Sequence, residues 1–233
     1  MGLVVLPALS SDISEVYDVY FAAFRDNAVT RALFPKASAN DMTNSASAFR
    51  RKTHTSHVSQ YWPTDPTQYT LKCVDSDSGE IVGMALWDIY LSPSTWTRPQ
   101  LSWLDGDEKI RAENLITPLW NAREHYWIGE RYIYCHVIAV HPAHQRKGVG
   151  QKLLNYGIGI AQQARLPVYI ESSRDGIRLY EKMGCRRIKR PSRPQARPST
   201  MEHCGKDKVD EAALFVWFPS GEENILPRHI ELE

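Results

Sequence analysis

The spacing of apolar side chains changes along this chain, and each change of period predicts an element. Near the start, "LVVLPAL" is a short apolar run of strand type. In the following "SDISEVYDVYFAAF", Ile13, Val16, Tyr17, Tyr20, Phe21 and Phe24 recur at three- and four-residue intervals. That period puts them on one side of a helix, with Asp12 and Glu15 spaced as a capping box at its start. "RDNAVTRALFP" and "SANDMTNSASAFRRKTHTSHVSQYW" predict shorter helices with broad polar faces. "YTLKCVDSDSGEIVGMALWDIY" then holds two strand-like runs around "DSDSG", whose Asp, Ser and Gly suit a turn, so an antiparallel hairpin is expected.

Residues 92–130 break the pattern. Prolines stand at 93, 99 and 118 and tryptophans at 96, 103, 120 and 127, with partial helical periodicity from about 107 onward. The segment is expected to be a long connecting insertion, of the kind that carries function. From residue 131, "RYIYCHVIAV" is an apolar, β-rich run, and Val149, Leu153, Tyr156, Ile160 and Ala164 then share a helix face. "LPVYIE" is the next strand, "SSRDGIRLYEKMGC" a short helix ended by Gly184, "CRRIKR" the start of another strand and "AALFVWF" the last one. The final fourteen residues are expected to form a surface tail. Strand and helix alternate as in an α/β layer. No repeat or second domain is evident, so residues 1–233 are expected to form a single domain with insertions near 92–130 and 186–208.

Composition narrows the partners. A net charge of +1 with 24% charged and 42% hydrophobic residues gives no global reason to expect nucleic acid or an anionic membrane, so any basic site must be local. Residues 186–208 are the main basic stretch, with eight Lys or Arg against only Glu202 and Asp207. They have few interleaved aromatics for stacking on bases. Cys73, Cys135, Cys185 and Cys204 are far apart and form no CxxC pair, which suits reduced thiols. No run reaches eighteen apolar residues and the opening lacks a secretory signal's basic flank, so a cytoplasmic, membrane-free protein is expected.

The local basic site is "HPAHQRKGVGQKLL", residues 141–154. A strand that feeds a glycine-bearing turn into a helix leaves several N–H groups unpaired at the positive end of the helix dipole, which suits a phosphate. Gly148 and Gly150 let the backbone approach an anion, and Gln145, Arg146 and Lys147 add donors and charge. The plain alternative is a solvated basic loop. A Walker loop is excluded, because no GK[ST] follows the glycines. A dinucleotide fingerprint is excluded as well, because its third glycine would fall at Leu153.

"QRKGVG" is similar to the [Q/R]xxGx[G/A] signature of the GNAT superfamily of N-acetyltransferases, and it stands after a strand ending in "VHP", as in that family. Downstream, "IRLYEKMGCRRI" resembles the family's "LYxKxGF" helix, and the match is sharpest over residues 131–190. The resemblance implies a central, mostly antiparallel sheet of about seven strands flanked by helices. It implies acetyl-CoA as cosubstrate, its pyrophosphate on Gln145, Arg146, Lys147, Gly148, Val149 and Gly150, with Gln151 and Lys152 close by. Its pantetheine arm would lie along Val137 to Val140, flanked by Ile138 and Val140, with Ala139 between them. The implied reaction is direct acyl transfer: a neutral amine attacks the thioester, a base takes the amine's proton and an acid meets the departing thiolate.

The resemblance places the acid at Tyr180, which is also readable as a core aromatic sharing a face with Ile177 and Met183. His136, nine positions before Gln145, stands where arylalkylamine N-acetyltransferases have a proton-relaying histidine, and imidazole titrates in the right range for a base. A hydrogen-bonded core histidine is the alternative. In a regular strand His136 would share its sheet face with Ile138. Two residues earlier, Tyr134 departs from both the amine-acetylating and the histone-acetylating patterns of the family. Glu171 is a second candidate base, or else a surface or capping carboxylate. Asp88, Glu130, His141 and His144 are weaker candidates, and no metal motif accompanies the histidines. The expected acceptor is a small-molecule amine, aromatic if the Trp-rich segment lines its site. The rivals are a hydroxyl or peptide amine as acceptor, an acyl-CoA-binding protein without turnover, or a nucleic-acid contact through residues 186–208.

Overall fold

The computed structural model describes residues 2–60, 66–190 and 212–233. Seven strands form one sheet: β1 (Leu3–Pro7), β2 (Gln68–Asp75), β3 (Ile81–Ile89), β4 (Ile133–Val140), β5 (Val168–Ser172), β6 (Arg186–Arg187) and β7 (Ala213–Trp217), in the order β1-β2-β3-β4-β5-β7-β6. Only β4 and β5 run parallel; every other pair is antiparallel. The expected mixed sheet of about seven strands is therefore present. So is the hairpin, as β2 and β3. Among the described residues no helix is long and apolar enough to cross a membrane.

Helices cover both faces. On one face lies α5 (Val149–Ala164), with α6 (Ile177–Lys182) beside it. The buried residues of α5 include Leu153, Leu154 and Ala161, which join Leu71, Trp87, Ile133, Cys135, Ile170 and Phe215 in the main core. Gly157 makes this packing possible, since a Cβ there would stand 2.3 Å from the Trp87 ring. The opposite face is covered by α1 (Ile13–Phe24), whose Val16 and Val19 pack on Met84 and Ala139. The far side of α1 buries Phe21 against Phe34 and Phe49, in the region of α2 (Ala28–Leu33) and α3 (Ala48–Gln60).

Several expectations are corrected. The segment 92–130 is not mainly a connection: residues Gly106–Trp127 form α4, a helix of 22 residues. Pro118 in its interior cannot donate to Asn114, the usual reading of a helix break, but packing holds the helix through it. Its first half rests on α2 through Ala112 and Ile116, and its last turn buries Tyr126 and Trp127 against Tyr132, Tyr134, Tyr169 and Val216. The capping box at Asp12 and Glu15 does not form. The Asp12 carboxylate turns back to accept from the Leu9 N–H at 2.7 Å and from Lys72 Nζ at 2.7 Å, tying the start of α1 to β2. The helix expected within residues 38–62 begins only at Ala48, after turns held by the Ser38, Asp41 and Ser47 side chains.

The last fourteen residues are not a loose tail. Leu226, Ile230 and Leu232 pack on the α4 core, and Leu232 bridges to Ile188. Cys73, Cys135 and Cys185 are free and buried. The basic stretch expected to be exposed begins as β6, and from Pro191 onward, with Cys204, it lies outside the described residues.

Candidate active site

The sheet opens where its one parallel pair parts. The β4–β5 ladder runs from Ile133↔Val168 to Cys135↔Ile170 and stops, whereas β4 continues to Val140 paired only with β3. From His136 to Val140, including Ile138 and Ala139, the β5-facing edge of β4 therefore has no strand partner. Backbone groups on such an edge are ready donors and acceptors for an extended ligand.

Beyond this edge the chain turns through Gln145, Arg146 and Lys147 into α5. Gly148 is the N-cap at φ +86°, with no side chain capping the helix and nothing within 4 Å of where a Cβ would stand. A left-handed conformation there favours glycine, and without a capping side chain the start of α5 keeps the unpaired amides that every helix N-terminus has. Arg146 is also left-handed, at φ +64°, and its side chain is exposed, like those of Lys147 and Lys152. Gly150 does a different job: a Cβ there would lie 3.3 Å from Leu179 and 3.7 Å from Val140, so it seats α5 between α6 and β4. Uncapped amides, surrounding cations and a free strand edge leading to them fit a long anionic ligand such as coenzyme A.

Tyr180 approaches the fork from the α5 side. It is 7% exposed, packs against Phe215, and its hydroxyl interacts with the side chain of Cys135, the last paired residue of β4. Burial first, then the neighbouring thiols of Cys135 and Cys185, raises its phenol well above the usual range and keeps it protonated. Tyr180 is thus a core aromatic whose hydroxyl lies beside the end of the paired part of β4.

The opposite face carries a network that local sequence did not predict. Leu86 pairs with Val137 but Trp87 pairs with Cys135, leaving His136 as the extra residue of a β-bulge. The expectation that His136 shares a face with Ile138 fails for this reason. Ile138 and Val140 pack toward the main core, while His136 stays with Tyr134, their rings 5.2 Å apart. His136 is 43% exposed, and its Nδ1 is 3.8 Å from Oδ1 of Asp88, whose side chain is only 6% exposed. The other oxygen of Asp88 accepts from Arg123 of α4 at 2.8 Å. Arg123 also donates to the hydroxyls of Tyr132 at 2.8 Å and Tyr90 at 3.1 Å, and its guanidinium lies 4.0 Å from the Tyr134 ring and 4.5 Å from Trp96. Burial pushes the Asp88 carboxyl up, but His136 and Arg123 together hold it below the ordinary range.

Glu171 stands beside this network, neither capping a helix nor free at the surface. It accepts from Tyr134 at 2.8 Å and from Tyr169 at 3.0 Å. Burial lifts its carboxyl above the usual range in spite of the two phenols. The structure thus brings Tyr180 to one face of the fork and His136 and Glu171 to the other. It leaves His141 and His144 at a separate cavity of about 300 Å³ beside α1, which none of those three residues lines. Arg123 had no local signal in the sequence. Asp88 had one, a carboxylate in the otherwise apolar run "GMALWDIY", which demands a buried partner.

Residues 39–185, more than half of the chain, match the Acetyltransferase (GNAT) family. The chain is similar to a probable acyltransferase SID5 of Ajellomyces capsulatus, 27% identical over 108 residues, which are 45% of this chain and 74% of that one. Among solved structures it shares its fold with a histone acetyltransferase HPA2 and related acetyltransferase from Corynebacterium glutamicum, at 20% identity, 93% and 96% coverage and a TM-score of 0.54. A mosquito arylalkylamine N-acetyltransferase like 5b shares it at 15% identity, 93% and 100% coverage and a TM-score of 0.55. With the parted strands, the uncapped loop and this match together, the chain belongs to the GNAT acetyltransferase family and is an acyltransferase.

Proposed function

We propose that this protein is an acetyl-CoA-dependent N-acetyltransferase of a small-molecule amine. The observation that carries the reading is the parting of β4 from β5, which leaves a free strand edge leading to an uncapped helix start, with Tyr180 on one face of the sheet and His136 on the other. Gln145 to Gly150 receive the pyrophosphate, with Gln151 and Lys152 beside it, and the edge of Ile138, Ala139 and Val140 holds the pantetheine arm. When bound, acetyl-CoA supplies an acetyl group activated as a thioester. An aliphatic amine is protonated near neutral pH and must lose a proton to become a nucleophile. His136, the most exposed ionisable group of the network, accepts that proton, and Glu171 is the second candidate. Tyr180, kept protonated by burial, delivers a proton to the departing sulfur. The solved relatives named for histone and for arylalkylamine acceptors share the fold equally well, so the acceptor class rests on this chain. The aromatic neighbourhood of His136, with Trp96, Tyr90 and Tyr134 packed around the buried Arg123, supports a compact, partly apolar amine.

The test is release of free coenzyme A from acetyl-CoA with a panel of arylalkylamines, polyamines, amino acids and peptides. At least one small amine should support turnover, and Tyr180→Phe should lower kcat by roughly 10²-fold with coenzyme A binding retained. Turnover with peptides alone would refute the small-amine acceptor.

A further inference from the structure

We infer that Asp88, held in place by Arg123, is a positioning residue that takes the Nδ1–H of His136 and so leaves Nε2 as the atom that accepts the amine's proton. The inference deepens the proposed function, since it rests on His136 as the base. Three observations carry it. First, Oδ1 of Asp88 is buried and has no hydrogen-bond partner, whereas Oδ2 is taken by Arg123. A buried carboxylate oxygen without a donor is costly, and such orphans mark an unmet partner. Second, Nδ1 of His136 lies 3.8 Å from that oxygen, on an imidazole that is 43% exposed and so free to turn toward it. Third, the bulge at His136 keeps the ring on the Asp88 face while the rest of β4 switches register, which is how bulges re-aim a functional side chain.

Among the described residues, the titratable groups around the ring come from four elements. From β3 comes Asp88, from α4 comes Arg123, from β5 comes Glu171, and from its own strand comes Tyr134. Arg123 has no acceptor capacity, the Tyr134 hydroxyl donates to Glu171, and both Glu171 oxygens already accept from Tyr134 and Tyr169, so the unpaired Oδ1 of Asp88 is the acceptor placed to choose between the two ring nitrogens. Arg123, fixed by two tyrosine hydroxyls and stacked by Tyr134 and Trp96, keeps the carboxylate from rotating. A merely structural Asp88 would neutralise Arg123 and leave the tautomer of His136 to solvent.

The experiment is ¹⁵N NMR of the histidine-labelled full chain, with the His136 signals assigned through His136→Ala. The wild type should show neutral His136 protonated at Nδ1, and Asp88→Asn should lose that preference. An Nε2–H tautomer in the wild type, or an unchanged tautomer in Asp88→Asn, overturns the inference. Should Asp88→Asn fail to fold, the wild-type spectrum alone decides. In kinetics, Asp88→Asn should lower kcat by roughly ten- to a hundredfold with coenzyme A affinity kept, and adding it to His136→Ala should cost nothing more. Full activity in His136→Ala sinks the base assignment and the functional half of the inference, while the tautomer still reports whether Asp88 orients the ring.

Discussion

The two faces of the fork are built in opposite ways. The proposed anion cradle is one contiguous stretch, Gln145 to Gly150, shaped by a glycine at φ +86° at an uncapped helix start. The network across the sheet is assembled from side chains of β3, α4, β4 and β5, and it works only because a bulge and a helix bring Asp88, Arg123, His136, Tyr134 and Glu171 together. A backbone site needs particular residues at fixed short offsets, so it leaves a local motif. A side-chain site needs particular positions in space, and widely separated stretches of chain can provide them. Mutations in the two halves should therefore fail differently: the cradle should lose ligand affinity, and the network should lose turnover or stability.

The largest separation is expected from His136→Ala, which should lower kcat by roughly 10²–10⁴-fold while coenzyme A affinity by calorimetry stays unchanged. A parallel loss of affinity would mean that the two halves are not separable. Arg123→Met should act on stability, since it strands the buried Asp88 carboxylate. A loss of about 3–5 kcal/mol in urea unfolding is expected, with little left to attribute to the cradle. Gly148→Val should do the converse. A β-branched residue forced to a left-handed φ costs about 1–3 kcal/mol. The open loop escapes that strain by leaving the left-handed conformation, so the effect should appear as weaker coenzyme A binding, with kcat at saturation largely kept.

The smallest effect calibrates the others, because Asp12 belongs to neither half. Burial raises its carboxyl, but Lys72 and the Leu9 amide hold it below the ordinary carboxylate range. Its folded value is thus depressed, so its contribution is present at neutral pH and is lost as pH falls through the carboxylate range. Asp12→Asn should cost about 1 kcal/mol or less at pH 7, a difference from wild type that vanishes on acidification, with kcat and coenzyme A affinity unaffected.

The same contrast explains what was legible beforehand. The strands, the hairpin, α1, α5 and α6 follow from apolar period and turn chemistry, and the loop follows from its glycines. Helix α4 showed only as partial helical periodicity from about residue 107, because Pro118 interrupts it and because its buried residues face two different neighbours, α2 and the sheet, which blurs any single stripe. The closing residues looked like a tail because Leu226, Ile230 and Leu232 lack strand or helix period, yet they cover the α4 core. The side-chain directions on β4 were misjudged beyond His136, because an extra residue in one strand changes facing without changing composition.

By itself, then, the amino-acid order determined the elements of the sheet, the glycine-bearing turn into α5 and the positions of the tyrosine and histidine that flank the fork, all of which depend on short-range spacing. Only the tertiary structure decided that Arg123, from a helix 35 residues after Asp88, clamps that carboxylate beside His136, and that two phenols share Glu171. Burying a charge is tolerable only where partners converge on it, and that convergence is a property of packing and register, which no local stretch of sequence encodes.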